Sequence, residues 1–152
     1  MSTIQKIDLK ISKTMDLWSG KSIKISFSVI FIWFGILKPL NVSSAAPLVL
    51  KTVDWVPFVS STTMLQLIGF WEVLIGILFI FDKTVRIAIP LLFLQLVGTF
   101  IPLVMLPEIT FQKGGIAYLP SMEGQYIIKN LFIISAALVL GGRLKNKQNI
   151  SI

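Results

Sequence analysis

The sequence contains no cysteine and no histidine. That excludes a disulfide framework, a thiol redox couple, thiolate or imidazole metal ligands, and a haem held by the chain's own Cys or His. Charge is scarce as well. Only 14% of the 152 residues are charged, against roughly 25% in a soluble domain. Acids are scarcest, seven Asp and Glu against fourteen Lys and Arg, for a net charge of +7. There is no nucleotide-phosphate loop, so electron chemistry would need a noncovalently bound cofactor or a partner that carries one.

What is abundant is apolar length: 55% of residues are hydrophobic and the mean hydropathy is +0.84. So short a chain allows one domain, 1–152, a small helical bundle rather than a soluble core with an anchor. In a soluble protein the basic excess would suggest nucleic acid. Here the basic residues flank apolar runs, so the lipid bilayer is the expected partner and nucleic acid is not.

The clearest unit is a hairpin, Thr63–Phe81, a turn at Asp82–Arg86, then Ile87–Pro107. Its second half runs 21 residues without a charge, enough for a helix to cross a hydrocarbon core of about 20 residues. Its first half is as apolar but carries Glu72 near the middle, and a lone acid at that depth marks a functional site by default. Gly69, Glu72 and Gly76 share one helical face, small residues that let a neighbour approach and shield the acid. Gln95, Gly98 and Pro102 form a matching stripe. At ~1.5 Å per residue, Glu72 lies ~14 Å in from Thr63 and Gln95 ~14 Å in from Arg86. Both reach the midplane of a core ~30 Å thick, and a Glu72–Gln95 hydrogen bond is expected.

Two further spans complete the set, about Ser22–Leu40 and Tyr126–Gly142, the first ended by Pro39 and the last by Gly141–Gly142. Lys24 and Lys38 bracket the charge-free Ile25–Leu37. Residues Met1–Gly20 carry Ile4, Ile7, Ile11, Met15 and Trp18 at roughly helical spacing. They read either as an amphipathic helix on the membrane surface or as a solvated tail, since Ile7, Leu9 and Ile11 also alternate as in a strand. In Asn41–Ser61, Ser44 is expected to cap a short outer-surface helix through Trp55, stopped by Pro57, with Trp55 and Phe58 as interface anchors. In Glu108–Glu123, Gly114–Gly115 and Pro120 mark turns, Ser121 is the expected N-cap and Glu123 suits the first turn. No cleavable signal is expected, because the first 21 residues are polar and basic and the first apolar run lacks a small-residue cleavage pattern.

Ten of the fourteen basic residues (Lys6, Lys10, Lys13, Lys21, Lys24, Lys83, Arg86, Arg143, Lys145, Lys147) fall on one side of this arrangement. Lys38, Lys51, Lys113 and Lys129 fall on the other. The positive-inside rule then puts both termini and the hairpin turn in the cytoplasm. The expected fold is all-α, an integral membrane four-helix bundle, N-in and C-in. Lys38, Lys129, Glu123, Tyr126 and Asn130 belong to the outer half, where they could form one polar pocket with Glu72 and Gln95 at its floor. For Glu72 the alternatives are a proton carrier or ligand acceptor, and a structural acid, either neutral or paired with Lys38 or Lys129. For the two lysines, snorkelling anchors are as good a reading.

FIWFGILKPL, WEVLIGILFI, QLVGTFIPLVMLP and LPSMEGQYIIKNLFIISAALVL, in that order and spacing, resemble the DoxX family of small four-helix bacterial membrane proteins and its YkgB-type branch. The match covers roughly Ser22 to Leu144. Its motif positions here are Trp33, Gly35, Lys38, Glu72, Gly76, Glu123, Gly124, Tyr126, Lys129 and Asn130; the YkgB-type branch often carries Asp where this chain has Asn130. The resemblance implies a bacterial inner membrane location and a link to thiosulfate:quinone or oxidative-stress redox systems. The chain would then be a subunit beside a redox-enzyme partner, with quinone as a noncovalent cofactor and homo-oligomers conceivable. The other readings are a small-solute transporter or channel, and a membrane scaffold recruiting soluble redox enzymes.

Overall fold

The computed structural model describes residues 2–112 and 118–149, with 145–149 as backbone only. Lys113, the Gly114–Gly115 turn and the side chains of Lys145 and Lys147 lie outside that description. Eight helices follow in order among the described residues: α1 Thr3–Leu37, α2 Ala46–Val53, α3 Ser61–Ile80, α4 Val85–Phe100, α5 Pro102–Met105, α6 Pro107–Thr110, α7 Met122–Ile128 and α8 Leu131–Asn149. No regular strand occurs among them. Four stretches are long and apolar enough to cross a membrane: Thr3–Leu37, Ser61–Ile80, Val85–Met105 and Met122–Leu144.

α1 differs from the expectation of a separate surface segment. Residues 3–37 form one continuous helix, about 52 Å long at 1.5 Å per residue, because no proline interrupts them. Ser2 starts it with a reciprocal cap: its Oγ accepts from Gln5 N–H (3.3 Å) and its N–H donates to Gln5 Oε1 (2.8 Å). Pro39 ends it as expected. The freed carbonyls are taken up in a tight turn, with Asn41 N–H donating to Lys38 (3.0 Å) and Val42 N–H to Leu37 (3.1 Å). Asn41 adopts φ 58° there, a conformation asparagine tolerates. α2 begins after Ala45 without a side-chain cap. Ser44 is therefore not its cap; Pro47, in the first turn, supplies a preset φ instead.

α3 is capped by Ser60, whose Oγ accepts from Thr63 N–H at 3.2 Å. The hairpin turn is closed by Thr84, whose hydroxyl reaches the carbonyls of Leu78 (2.6 Å) and Phe81 (3.0 Å). α4 stops at Phe100 because Pro102 has no N–H to continue its ladder. Ser121 caps α7 as expected, accepting from Gly124 N–H at 3.1 Å, and its hydroxyl donates to Glu123 at 3.0 Å. α8 runs past Gly141–Gly142, the expected stop. Arg143 holds that extra length by binding α1, donating to Asp16 Oδ1 (2.6 Å), to the Asp16 carbonyl (2.8 Å) and to Ser19 Oγ.

The long helices share one apolar core built from Phe27 and Phe31 of α1, Ile75 and Phe79 of α3, Val85, Ala88, Leu92 and Leu96 of α4, and Ala137 and Leu140 of α8. Phe27 packs edge-on against Phe79, ring centroids 5.0 Å apart. The tightest contact is α1 on α3. A Cβ at Gly35 would sit 2.8 Å from the Gly69 carbonyl oxygen, and one at Gly69 2.7 Å from that of Gly35. A Cβ at Gly76 would lie 2.8 Å from the Ile32 nitrogen. These backbones touch because the side chains are missing, the small-residue packing that apolar surroundings favour. Gly69→Ala should therefore lower stability by about 1–3 kcal/mol through overpacking. Gly98→Ala, with nothing within 4 Å, should be neutral or stabilising by up to ~1 kcal/mol. Thermal unfolding of both variants in detergent micelles measures the difference.

Candidate intramembrane polar site

α1 is antiparallel to α3, and its last turn lies beside Gly69, eight residues short of the α3 start at Ser61. Lys38 therefore leaves α1 beside the apolar middle of α3 rather than beside its end. From Lys24 to Lys38 the rise is about 21 Å, well inside a core of ~30 Å. Bare Gly69 makes room for the lysine: a Cβ there would meet Lys38 Cβ at 2.8 Å. Glu72 is one turn further along the same face. Lys38 Nζ pairs with Glu72 Oε2, and the two side chains are 6% and 13% exposed. From the other side, Gln95 Nε2 on α4 donates to Glu72 Oε1 at 3.0 Å, the contact that the depth estimates anticipate. Both carboxylate oxygens are thus engaged, one by an ammonium and one by an amide.

This pair answers a physical demand. A charge in hydrocarbon is expensive, and intramembrane acids and bases are tolerated when they meet each other inside the protein. Lys38 is buried at 5% exposure and so does not snorkel to the surface.

The other sequence-chosen residues do not join it. Asn130 turns back on its own helix, Nδ2 donating to the carbonyls of Tyr126 (3.2 Å) and Ile127 (3.0 Å). That local bonding competes with the helix ladder and coincides with the break between α7 and α8. Lys129 sits over the Tyr126 ring, 5.2 Å from its centroid, with Tyr126 itself exposed. Glu123 bonds Ser121. No hydrogen bond or ion pair among the described residues links these four to Glu72. Each of the four finds its partner within its own segment instead.

Beside the cluster, an open apolar groove of about 330 Å³ runs between α3 and α4, lined by Met64, Leu67, Ile68, Trp71, Leu94 and Gln95. Gln95 therefore touches both the groove and Glu72. Its signal in the sequence is a lone amide at mid-span, which the depth argument used; the groove itself has no sequence signal. A second polar group lies at the opposite end. Lys24 pairs with Asp82 of the hairpin turn, Arg143 with Asp16 and Ser19, and Arg86 donates to the Leu144 carbonyl at 3.4 Å. These contacts put residues 16–24, the hairpin turn and the end of α8 at one end of the structure.

No family model, curated protein or solved structure matches the chain. Its class rests on its own features: four helices long and apolar enough to cross a membrane are consistent with a multi-pass integral membrane protein. Among the described residues no group of His, Cys, Asp and Glu could hold a metal ion.

Removing either partner of the Lys38–Glu72 pair should destabilise by about 3–5 kcal/mol, because an unpaired buried charge remains. The double variant Lys38→Met/Glu72→Leu should regain most of that loss. Unfolding midpoints of the singles and the double in one detergent give the test.

Proposed function

We propose that this chain is a DoxX-type four-helix bundle of the bacterial inner membrane, N-in and C-in. In this reading it is an accessory subunit of a quinone-linked oxidoreductase, its site the α3–α4 groove. The observation that carries the reading is Gln95, the one amide lining an apolar groove that opens beside it, held by a buried acid. A lipid-soluble ring with polar carbonyls suits such a surface: apolar walls take the ring, and an amide N–H can reach a carbonyl oxygen. A quinone bound there would supply electron transfer, which this chain's own residues cannot.

The chain's residues would do the rest. Met64, Leu67, Ile68 and Leu94 supply apolar walls that would take the ring. Trp71 offers a flat apolar face. Glu72 orients the Gln95 amide through Oε1, and Lys38 stabilises Glu72 through Oε2, so the groove keeps a preset donor. With the redox centre on a partner, the basic end formed by Lys21, Lys83 and Arg86 is the side on which a soluble enzyme would dock.

Two measurements check this. Purification in mild detergent, with mass spectrometry of what accompanies the protein, should find a quinone or a redox enzyme with the wild type. The quinone should be lost from Gln95→Leu, which leaves the Lys38–Glu72 pair in place, with elution volume and helical circular dichroism unchanged. A bare wild-type protein would move the reading to solute transport or to a purely structural role. Orientation is read separately: cysteine introduced at Lys83 should react with an impermeant maleimide only after cells are opened, and cysteine at Asn41 should react from outside.

A further inference from the structure

The Lys38–Glu72 pair also decides which end of the Gln95 amide is left for the groove. The two ends of an amide have nearly the same shape but opposite character, one a pair of donors and the other an acceptor. Glu72 is joined to the Lys38 ammonium through Oε2, and a carboxylate in an ion pair can only accept. Its Oε1 therefore takes an N–H, and Gln95 Nε2 donates to it at 3.0 Å. Turned over, the amide would set one acceptor oxygen against another. The acid thus fixes the rotation of Gln95, and its 13% side-chain exposure gives solvent little access to compete.

What stays free follows by subtraction. Nε2 carries two hydrogens, of which Glu72 takes one. Gln95 Oε1 enters no hydrogen bond among the described residues. The rest of the groove wall is Met64, Leu67, Ile68, Trp71 and Leu94. Of these, Trp71 brings an indole N–H, a donor, and Met64 a thioether, a weak acceptor. Oε1 is therefore the one strong acceptor among the side chains of the lining, and none of them donates to it.

We infer that the groove takes its ligand in the hydroxyl form, a lipid-soluble hydroquinone in preference to the quinone. The inference rests on the groove being the binding site proposed above and adds which redox form it holds. A ring hydroxyl donates to Oε1 and accepts the second Nε2 hydrogen, so it meets both groups that Gln95 leaves free. A quinone carbonyl meets the N–H alone and covers Oε1 without supplying a donor. An acceptor covered and left unpaired is what lets a hydrogen-bonding site reject an analogue of similar shape. Glu72 and Lys38 touch no ligand in this arrangement. They are positioning residues that act through Gln95.

The probes are tetramethylhydroquinone, tetramethylbenzoquinone and the dimethyl ether of the hydroquinone, which keeps the ring but has no O–H. Each is equilibrated without oxygen with the protein in phosphatidylcholine nanodiscs and with empty discs. Chromatography of the extracts gives the excess held by the protein. The wild type should bind the hydroquinone roughly 5–30-fold more tightly than either other probe, the cost of an unpaired acceptor. Lys38→Met/Glu72→Gln leaves no charge unpaired and replaces the acceptor-only carboxylate by an amide, against which Gln95 fits either way round. With elution volume and helical circular dichroism as in the wild type, that variant should lose the preference. Equal binding of the hydroquinone and its ether by the wild type, or tighter binding of the quinone, would overturn the inference and leave the groove as a quinone site. A preference undiminished in the double variant would also overturn it. Binding of no probe above empty discs would remove the groove reading itself, and this inference with it.

Discussion

Everything near the middle of this protein depends on one constraint: α1 ends against the apolar flank of α3 with a buried lysine at its tip. That lysine is acceptable only with a carboxylate in reach, and Glu72 is in reach only because α1 and α3 touch backbone to backbone at Gly35 and Gly69. A single Cβ on either helix would push them apart and lengthen the ion pair. Gln95 then engages the remaining carboxylate oxygen from α4. Close packing and charge compensation are thus one device. The glycines create the approach, the approach makes the pair, and the pair offsets the cost of burying a lysine there.

The two ends of the structure solve different problems. At the end that holds the hairpin turn, long polar side chains tie separate segments together: Lys24 to Asp82, Arg143 to Asp16 and Ser19, Arg86 to the end of α8. These contacts are exposed, and individually such pairs add little stability. Their combined geometry still aligns α1 with α8 beyond the apolar layer. At the other end the chain breaks into short helices. There the backbone is satisfied locally, as in the pairing of Gln112 N–H with the Leu119 carbonyl (2.8 Å) and of Ser121 N–H with that of Thr110 (2.9 Å). Gly124 packs against the Thr110 carbonyl with no room for a Cβ, which fixes where α7 starts and thus how α8 enters the core.

Much of this was legible in the residues themselves. Uncharged length marked the spans, Pro39 marked a stop, Ser121 marked a cap, and depth counted from two opposite boundaries placed Glu72 opposite Gln95; the stop at Pro102, inside the expected Ile87–Pro107 span, was not read. Each of these follows from local geometry or from the fixed rise of a helix. Azimuth between helices is another matter. Lys38 and Lys129 were equal candidates for Glu72, and only the packing of α1 on α3 chose Lys38. Asn130 was lost to the site because its amide found nearer carbonyls. Gly141–Gly142 failed as a stop because Arg143 had a partner 127 positions away in sequence. The sequence by itself determined an all-helical, membrane-suited chain with an acid at mid-span, since hydropathy and helical rise are properties of consecutive residues. Only the tertiary structure decided which base meets that acid, where α1 and α8 end, and which faces stay bare, because those depend on rotations between helices that no single segment encodes.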